Sequence, residues 1–212
     1  MIGDSRNPRG RRQMASQTPG ATAVEPVDLV DLTLFGTTFN LQSANALIRL
    51  VEFAAEVMTQ VGVAVLQRRL ESLRRGTAHN PATEAEAALL AFTNAPSFPL
   101  AIEALRALTR QNNTRVYRPD VLYCCLRAMQ IAAEGRCSFA EATVRERERN
   151  RHESRPLARR AIGSTLLLKG LEAEVAVITA PEEMDVRHLY VAFTRGSKKL
   201  VVCSFTPVLM PR

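Results

Sequence analysis

An α/β fold, with a mainly helical subdomain placed before a smaller α/β domain, follows from three features of this chain. From Asn40 to about residue 150, apolar side chains recur at intervals of three and four, the period of one face of a helix. Beyond residue 160 the apolar residues gather into short continuous runs, as in strands buried on both faces. Between them, at about 155–160, the composition turns strongly basic. These features divide the chain into a basic arm over 1–27, expected to be disordered, a helical subdomain over 28–155, and an α/β portion over 156–212.

The arm is rich in Gly, Pro, Ser and Thr, carries Arg6, Arg9, Arg11 and Arg12, and has no hydrophobic periodicity. It reads as a solvated tail or as a basic arm that touches nucleic acid. Leu47, Ile48, Val51, Ala54, Val57, Met58 and Val61 then mark a long helix with a break near Gly62. Arg68, Arg69, Arg74 and Arg75 load its end, where cations suit the helix dipole, and Gly76 stops it.

Thr83 with Glu86, and Ser138 with Glu141, have capping-box spacing and start two further helices. Between them, Leu100, Ile102, Leu105 and Leu108 form one helical stripe, and Pro119-Asp120 opens another helix that runs to Gly135. Residues 145–160 hold seven Arg against three Glu, which reads as a solvated connector, and Pro156 argues against one unbroken helix through it. The last stretch reads strand (162–168), strand (175–179), helix (185–194), strand (200–203).

Composition removes several classes of function. No apolar run reaches the roughly 18–20 residues of a membrane-spanning helix, so no membrane partner is expected. No apolar core follows the N-terminal arginines to make a secretory leader, and the expected location is the cytoplasm. Cys124, Cys125, Cys137 and Cys203 lack Cys-x-x-Cys spacing and have only three His for company, so no metal site is expected and the thiols read as reduced and mostly buried. The net charge of +7 favours polyanionic partners, while the absence of Trp and the presence of only three Tyr argue against a broad platform for stacking bases.

The chemistry concentrates near the C-terminus. Ser164-Thr-Leu-Leu-Leu-Lys-Gly-Leu-Glu172 is followed, about one helix later, by Leu189-Tyr-Val-Ala-Phe-Thr-Arg195-Gly196 and a Lys-Lys-Leu-Val-Val strand. Lys169-Gly170-Leu171-Glu172 is expected where the first strand ends, at a sheet edge that can meet a ligand; alone it could equally be a glycine turn with solvated charges. Tyr190, Ala192 and Phe193 have the spacing of a buried helix face.

Together the two motifs resemble the last two motifs of the UvrD/Rep family of superfamily 1 DNA helicases, a likeness covering residues 160–204. It implies that residues 156–212 are part of a RecA-like domain of the P-loop NTPase type, and that family inserts a helical subdomain just before these motifs, where residues 28–155 lie. It further implies ATP with Mg2+ as cofactor, with Gly170, Glu172 and Arg195 on the nucleotide side and Arg195 as the arginine finger. A guanidinium at that place stabilises phosphoryl transfer by roughly three to five powers of ten in rate. The other reading of Arg195 is a helix C-terminal cation ahead of Gly196. Ser164, Thr165 and Lys169 resemble the positions that couple nucleotide state to the DNA strand.

The sequence departs from the family in two ways. Ser164 stands where the family has Thr, and Leu166 where it has His, which removes a hydrogen-bonding group from the coupling path. Moreover, the 212 residues contain no Gly-x-x-x-x-Gly-Lys-Ser/Thr loop and no Asp-Glu pair after an apolar strand; Glu182-Glu183 follows Pro181 in a loop. The expectation is the C-terminal part of a motor, inactive alone, whose partners are single-stranded DNA and a protein carrying the phosphate-loop half. The alternatives are a non-catalytic nucleic-acid-binding or regulatory protein on a helicase-like scaffold, and a helical protein-interaction module.

Overall fold

The computed structural model describes residues 1–3, 7–153 and 158–210. In chain order, β1 (Ile2–Gly3), α1 (Pro8–Gln17) and β2 (Ala21–Ala23) come first. Seven helices follow: α2 (Val30–Thr38), α3 (Ala46–Val57), α4 (Val63–Arg74), α5 (Glu84–Asn94), α6 (Phe98–Arg110), α7 (Pro119–Ala133) and α8 (Phe139–His152). The chain then forms β3 (Arg160–Ser164), β4 (Ala173–Thr179), a short 3-10 turn at Pro181–Glu183, α9 (Val186–Phe193) and β5 (Gly196–Cys203). These elements divide into a sheet unit, Met1–Pro26 with Pro156–Arg212, and a helical unit, Val27–Arg155.

In the helical unit the apolar period works as the sequence implies. Leu50, Val51, Ala54 and Val57 of α3 are buried in one core with Leu105, Leu108, Val121, Cys125 and Met129. The helix expected to run from Asn40 to Gly76 is two helices, α3 and α4, separated near Gly62. Both capping boxes form: the Thr83 and Ser138 hydroxyls accept from the Glu86 and Glu141 amides, and each glutamate accepts from the cap residue's own amide. The short α2 closes one side through Phe35, whose ring stacks on Phe53 at 4.3 Å and meets Phe139 edge-on at 5.8 Å.

In the same unit, Arg118 is only 1% exposed. Its guanidinium donates to the Asp31 carboxylate at 2.5 Å, tying the start of α2 to the start of α7. The basic stretch expected as a connector belongs largely to α8, where Arg147 pairs with Glu148 at 2.6 Å, Arg149 with Glu153 at 2.6 Å and Arg151 with Asp28 at 2.5 Å. Three of its seven arginines are therefore met by neighbouring carboxylates. Pro156 lies outside the described residues.

The sheet unit corrects the reading of the N-terminus. Residues expected as a disordered arm supply two strands and a helix of a five-stranded sheet in the order β2-β3-β1-β4-β5, with every neighbouring pair parallel. The Met1 amine donates to the Ala161 carbonyl at 2.6 Å, and burial pushes its pKa down. Ile2 is buried and registers with Gly163 on one side and Ile178 on the other. Pro8 starts α1, with the Asn7 side chain accepting from the Gly10 amide. Arg11 is 8% exposed, its stem lying where a side chain on Gly3 would go. Composition misses this because both strands are too short to show a period; Arg6 lies outside the described residues.

Two outcomes follow. Removing residues 1–13 should abolish protection of β3 and β4 amides in hydrogen exchange while the helical unit keeps its cooperative transition; an unaltered sheet would mean the segment is dispensable. Asp31→Ala should cost about 3 kcal/mol, because it takes a carboxylate from a buried guanidinium, as read from urea unfolding followed by circular dichroism.

Candidate functional site

The two C-terminal motifs, Ser164–Glu172 and Leu189–Gly196, occupy the crossover from β3 to β4 and the passage from α9 into β5. Ser164 closes β3, and the chain at once turns: the Ser164 hydroxyl accepts from the Leu167 amide at 3.3 Å, and its carbonyl accepts from the Leu168 amide at 3.0 Å. The strand expected over 162–168 thus ends at Ser164, because that side chain offers the backbone a local partner in place of the ladder. Leu168 folds back into the core beside Ile178, Leu189 and Ala192. Ser164 and Thr165 are buried, and Leu166, in the place of the family's histidine, is 64% exposed.

Gly170 has φ of +83° with open space around its α-carbon, so its requirement is conformational. Glycine is needed at 196 for the opposite reason, since an added β-carbon would lie 2.6 Å from the Lys199 carbonyl. Lys169, Gly170 and Glu172 are exposed. Ala173 then opens β4, whose register with β5 places it against Gly196.

Lys169-Gly170-Leu171-Glu172 therefore lies at the entry to β4, at the N-terminal ends of β4 and β5, and not where β3 ends. Gly3 registers with Ser164, and Ile2 with Ile178. Ser164 is thus level with the far end of β4, about 20 Å along the strand direction from Ala173 at roughly 3.3 Å per residue. Gly170, Glu172 and Arg195 gather at one edge of the sheet, Lys169 precedes them in the same turn, and Ser164 and Thr165 sit at the other edge. Spacing in sequence hides this, because a tight crossover carries the chain across the sheet in eight residues.

Arg195 joins the two motifs. Its Nε donates to the Val191 carbonyl at 3.0 Å, Nη1 to the Leu171 carbonyl at 3.1 Å and Nη2 to the Thr194 hydroxyl at 2.9 Å. Its own carbonyl accepts from the Ala173 amide at 3.0 Å. Arg195 is half-buried and its side-chain partners are neutral oxygens, so the helix-capping geometry is present and extends to the glycine turn. Leu171 and Thr194 went unnoticed in the sequence: a main-chain carbonyl has no sequence signature, and Thr194 reads only as part of the motif.

α9 reverses one packing expectation. Leu189 and Ala192 carry the buried face, whereas Tyr190 is 71% and Phe193 39% exposed. The phase is fixed by Asp185, whose carboxylate accepts from the His188 amide at 2.8 Å and starts the helix. From that start, positions 186, 190 and 193 turn outward. Glu182, in the loop after Pro181, accepts from the Ser204 hydroxyl at 2.5 Å and the Phe205 amide at 2.9 Å, which anchors the chain after β5.

Among the described residues, no group of three or more His, Cys, Asp or Glu side chains is placed to hold a metal ion, and no helix is long and apolar enough to cross a membrane. Cys124 and Cys125 are buried and Cys203 is exposed; burial pushes the Cys125 thiol well up. Two clefts of about 490 and 470 Å³ on the helical unit share Gln60 and Gln111. Their Arg69 and Arg110 pair with Glu86 and Glu84, and none of the candidate residues lines them. No family model, curated protein or solved structure matches the chain.

The Asp185 cap gives a pH dependence of known sign. The bond from the His188 amide, the largest cause, holds this carboxyl below its ordinary value. Its stabilisation is present above the unfolded value of about 3.9 and is lost as pH falls through the lower folded one. The protection of α9 amides relative to their intrinsic exchange rate should therefore fall on acidification below pH of about 4, and Asp185→Asn should flatten that dependence; an unchanged protection profile in the variant would exclude Asp185 as its source.

Proposed function

We propose that the chain is the C-terminal part of a UvrD-like, ATP-dependent DNA helicase motor, with its sheet unit acting as the RecA-like portion. It supplies the arginine finger, Arg195, and one wall of an ATP cleft to a partner that carries the phosphate loop. The observation that carries this reading is the bond from Arg195 to the Leu171 carbonyl: two sequence motifs that resemble the family's last two lie against each other at one sheet edge. Gly170 and Glu172 flank that carbonyl on either side, within reach of the same ligand.

The residues gathered there are one guanidinium, one carboxylate, the Lys169 ammonium earlier in the same turn and exposed main chain. Such a set suits one side of a phosphate-binding cleft; it does not suit a magnesium site, which takes carboxylates together with the phosphates themselves. ATP and Mg2+ would supply the transferable phosphoryl group and its charge neutralisation, and this chain's share would be the charge of Arg195 and the orientation that Thr194 and Leu171 give it. The DNA-coupling role that the resemblance gives Ser164, Thr165 and Lys169 would be indirect for the first two, which are buried and lie at the edge opposite Lys169; the side chains open to single-stranded DNA there would be Leu166 and Lys169.

A second reading is favoured by Leu166 and by the full engagement of Arg195: a non-catalytic nucleic-acid-binding protein on the same scaffold. Combining the chain with a protein bearing the phosphate-loop half separates the two. The motor reading expects DNA-stimulated ATP hydrolysis that falls by about 10³ or more in Arg195→Ala. The second reading expects no hydrolysis and salt-dependent binding of single-stranded DNA that is indifferent to ATP and to the same substitution.

A further inference from the structure

We infer that the open edge of β5 pairs with the β5 of a second copy of this chain, antiparallel and about a two-fold axis, so that two sheets become one. The pairing concerns neither nucleotide nor DNA and is independent of the motor reading.

β5 ends the sheet: β4 lies on one side of it and, among the described residues, no strand lies on the other. In a parallel ladder every second residue turns its N–H and C=O away from the neighbouring strand, so this edge presents main-chain groups that a further strand can satisfy. Sheet edges are normally blunted by shortness, bulges or charge. The opposite edge, β2, has only three residues. β5 has eight, and its one irregularity, where the register shifts between Ala173 and Val175, lies before Lys199. From Lys199 to Cys203 it runs in unbroken register with Val175 to Thr179.

The side chains of that stretch show the same lack of a neighbour. Leu200 and Val202 register with Ala176 and Ile178 and so share their face of the sheet. Ala176 and Ile178 are buried in the core of the sheet unit, yet Leu200 is 39% and Val202 37% exposed. Both sit on the core face, and what they lack is an apolar layer beyond the edge.

A second copy fits because the strand complements its own reverse. Lys198 and Lys199 make its N-terminal end basic. Its C-terminal end is acidic: Glu182 accepts from the Ser204 hydroxyl at 2.5 Å and the Phe205 amide at 2.9 Å, and Glu183, next in the chain, is exposed. Lys198 pairs with Glu174 at 2.5 Å, whereas Lys199 and Glu183 make no ion pair among the described residues. Antiparallel pairing about an axis at Val201 sets Leu200 against the partner's Val202 and Lys199 against the partner's Cys203. It also brings each basic end to the other copy's acidic end, whereas parallel pairing would set like ends together. Such a contact is isologous and closes at two copies.

Sedimentation equilibrium on the full chain tests the pairing. The wild type should reach a dimer, and nothing larger, by about 100 μM. Lys199→Glu should weaken the dimer about tenfold by bringing two acidic ends together, and Lys199→Glu combined with Glu183→Lys should restore it. Both side chains are exposed, so these variants keep the fold, which circular dichroism checks. The register has its own readout: Lys199→Cys, oxidised with diamide, should give a covalent dimer linking position 199 to Cys203, since directly opposed residues lie about 4.5–5.5 Å apart. Within one chain the two positions are about 13 Å apart along the strand, beyond disulfide range, so the link forms only between copies. A wild type that stays monomeric, a dimer indifferent to both charge variants, or a cross-link that excludes position 199 overturns the pairing. Absence of ATP hydrolysis with a phosphate-loop partner would count against the motor and not against the dimer.

Discussion

A two-residue strand holds the sheet unit together. Ile2–Gly3 lies between β3 and β4, so the strand pairing that joins the two halves of the sheet passes through it. Full burial of one isoleucine contributes about 1.5–3 kcal/mol, and the buried Met1 amine adds a bond to Ala161. Without β1, Ala176 and Ile178 of β4 would lose the neighbour that closes their side of the core, and the β3–β4 crossover would span an open gap. Everything said of the site depends on that closure, because the crossover itself carries the first motif.

The crossover is short for a parallel connection, which usually takes a dozen or more residues. Economy is possible because Ser164 turns the chain with its own hydroxyl and carbonyl, Leu168 packs directly on the sheet, and Gly170 supplies a left-handed residue just before β4. The outcome is a site divided between two edges. Gly170, Glu172 and Arg195 share the N-terminal edge of β4 and β5, and Ser164 and Thr165 share the other, with one run of hydrogen bonds between them. A protein that must link events at two places has physical use for such a connection.

Charge is treated differently in the two units. The helical unit carries many arginines, yet Arg69, Arg110, Arg118, Arg127, Arg149 and Arg151 meet carboxylates, so its basic composition is largely spent on internal pairs. The exposed pairs are worth about 1 kcal/mol or less each; the pairs made by buried Arg118, Glu146 and Glu86 are the exceptions. In the sheet unit, Arg195 meets neutral oxygens only. A net charge of +7 therefore says less about a polyanion surface than the surroundings of this one guanidinium do.

The sequence by itself determined the helices of the central region, since their three-and-four spacing and both capping boxes are local properties that packing need only accept. It also determined the α/β character of the last fifty residues, but not the burial of their strands on both faces that the apolar runs imply: β5 has no fully buried residue and β4 is buried only from Ala176 on. Tertiary structure alone decided that the N-terminal stretch joins the sheet, because strands of two and three residues have no period to read and gain their stability from partners far away in sequence, such as Arg160 for Ala21 and Ile178 for Ile2. It decided likewise that Tyr190 and Phe193 face outward, through the phase set by Asp185, and that Arg195 grips Leu171. A main-chain oxygen looks the same at every position in a sequence, and only folding chooses which one a guanidinium will find.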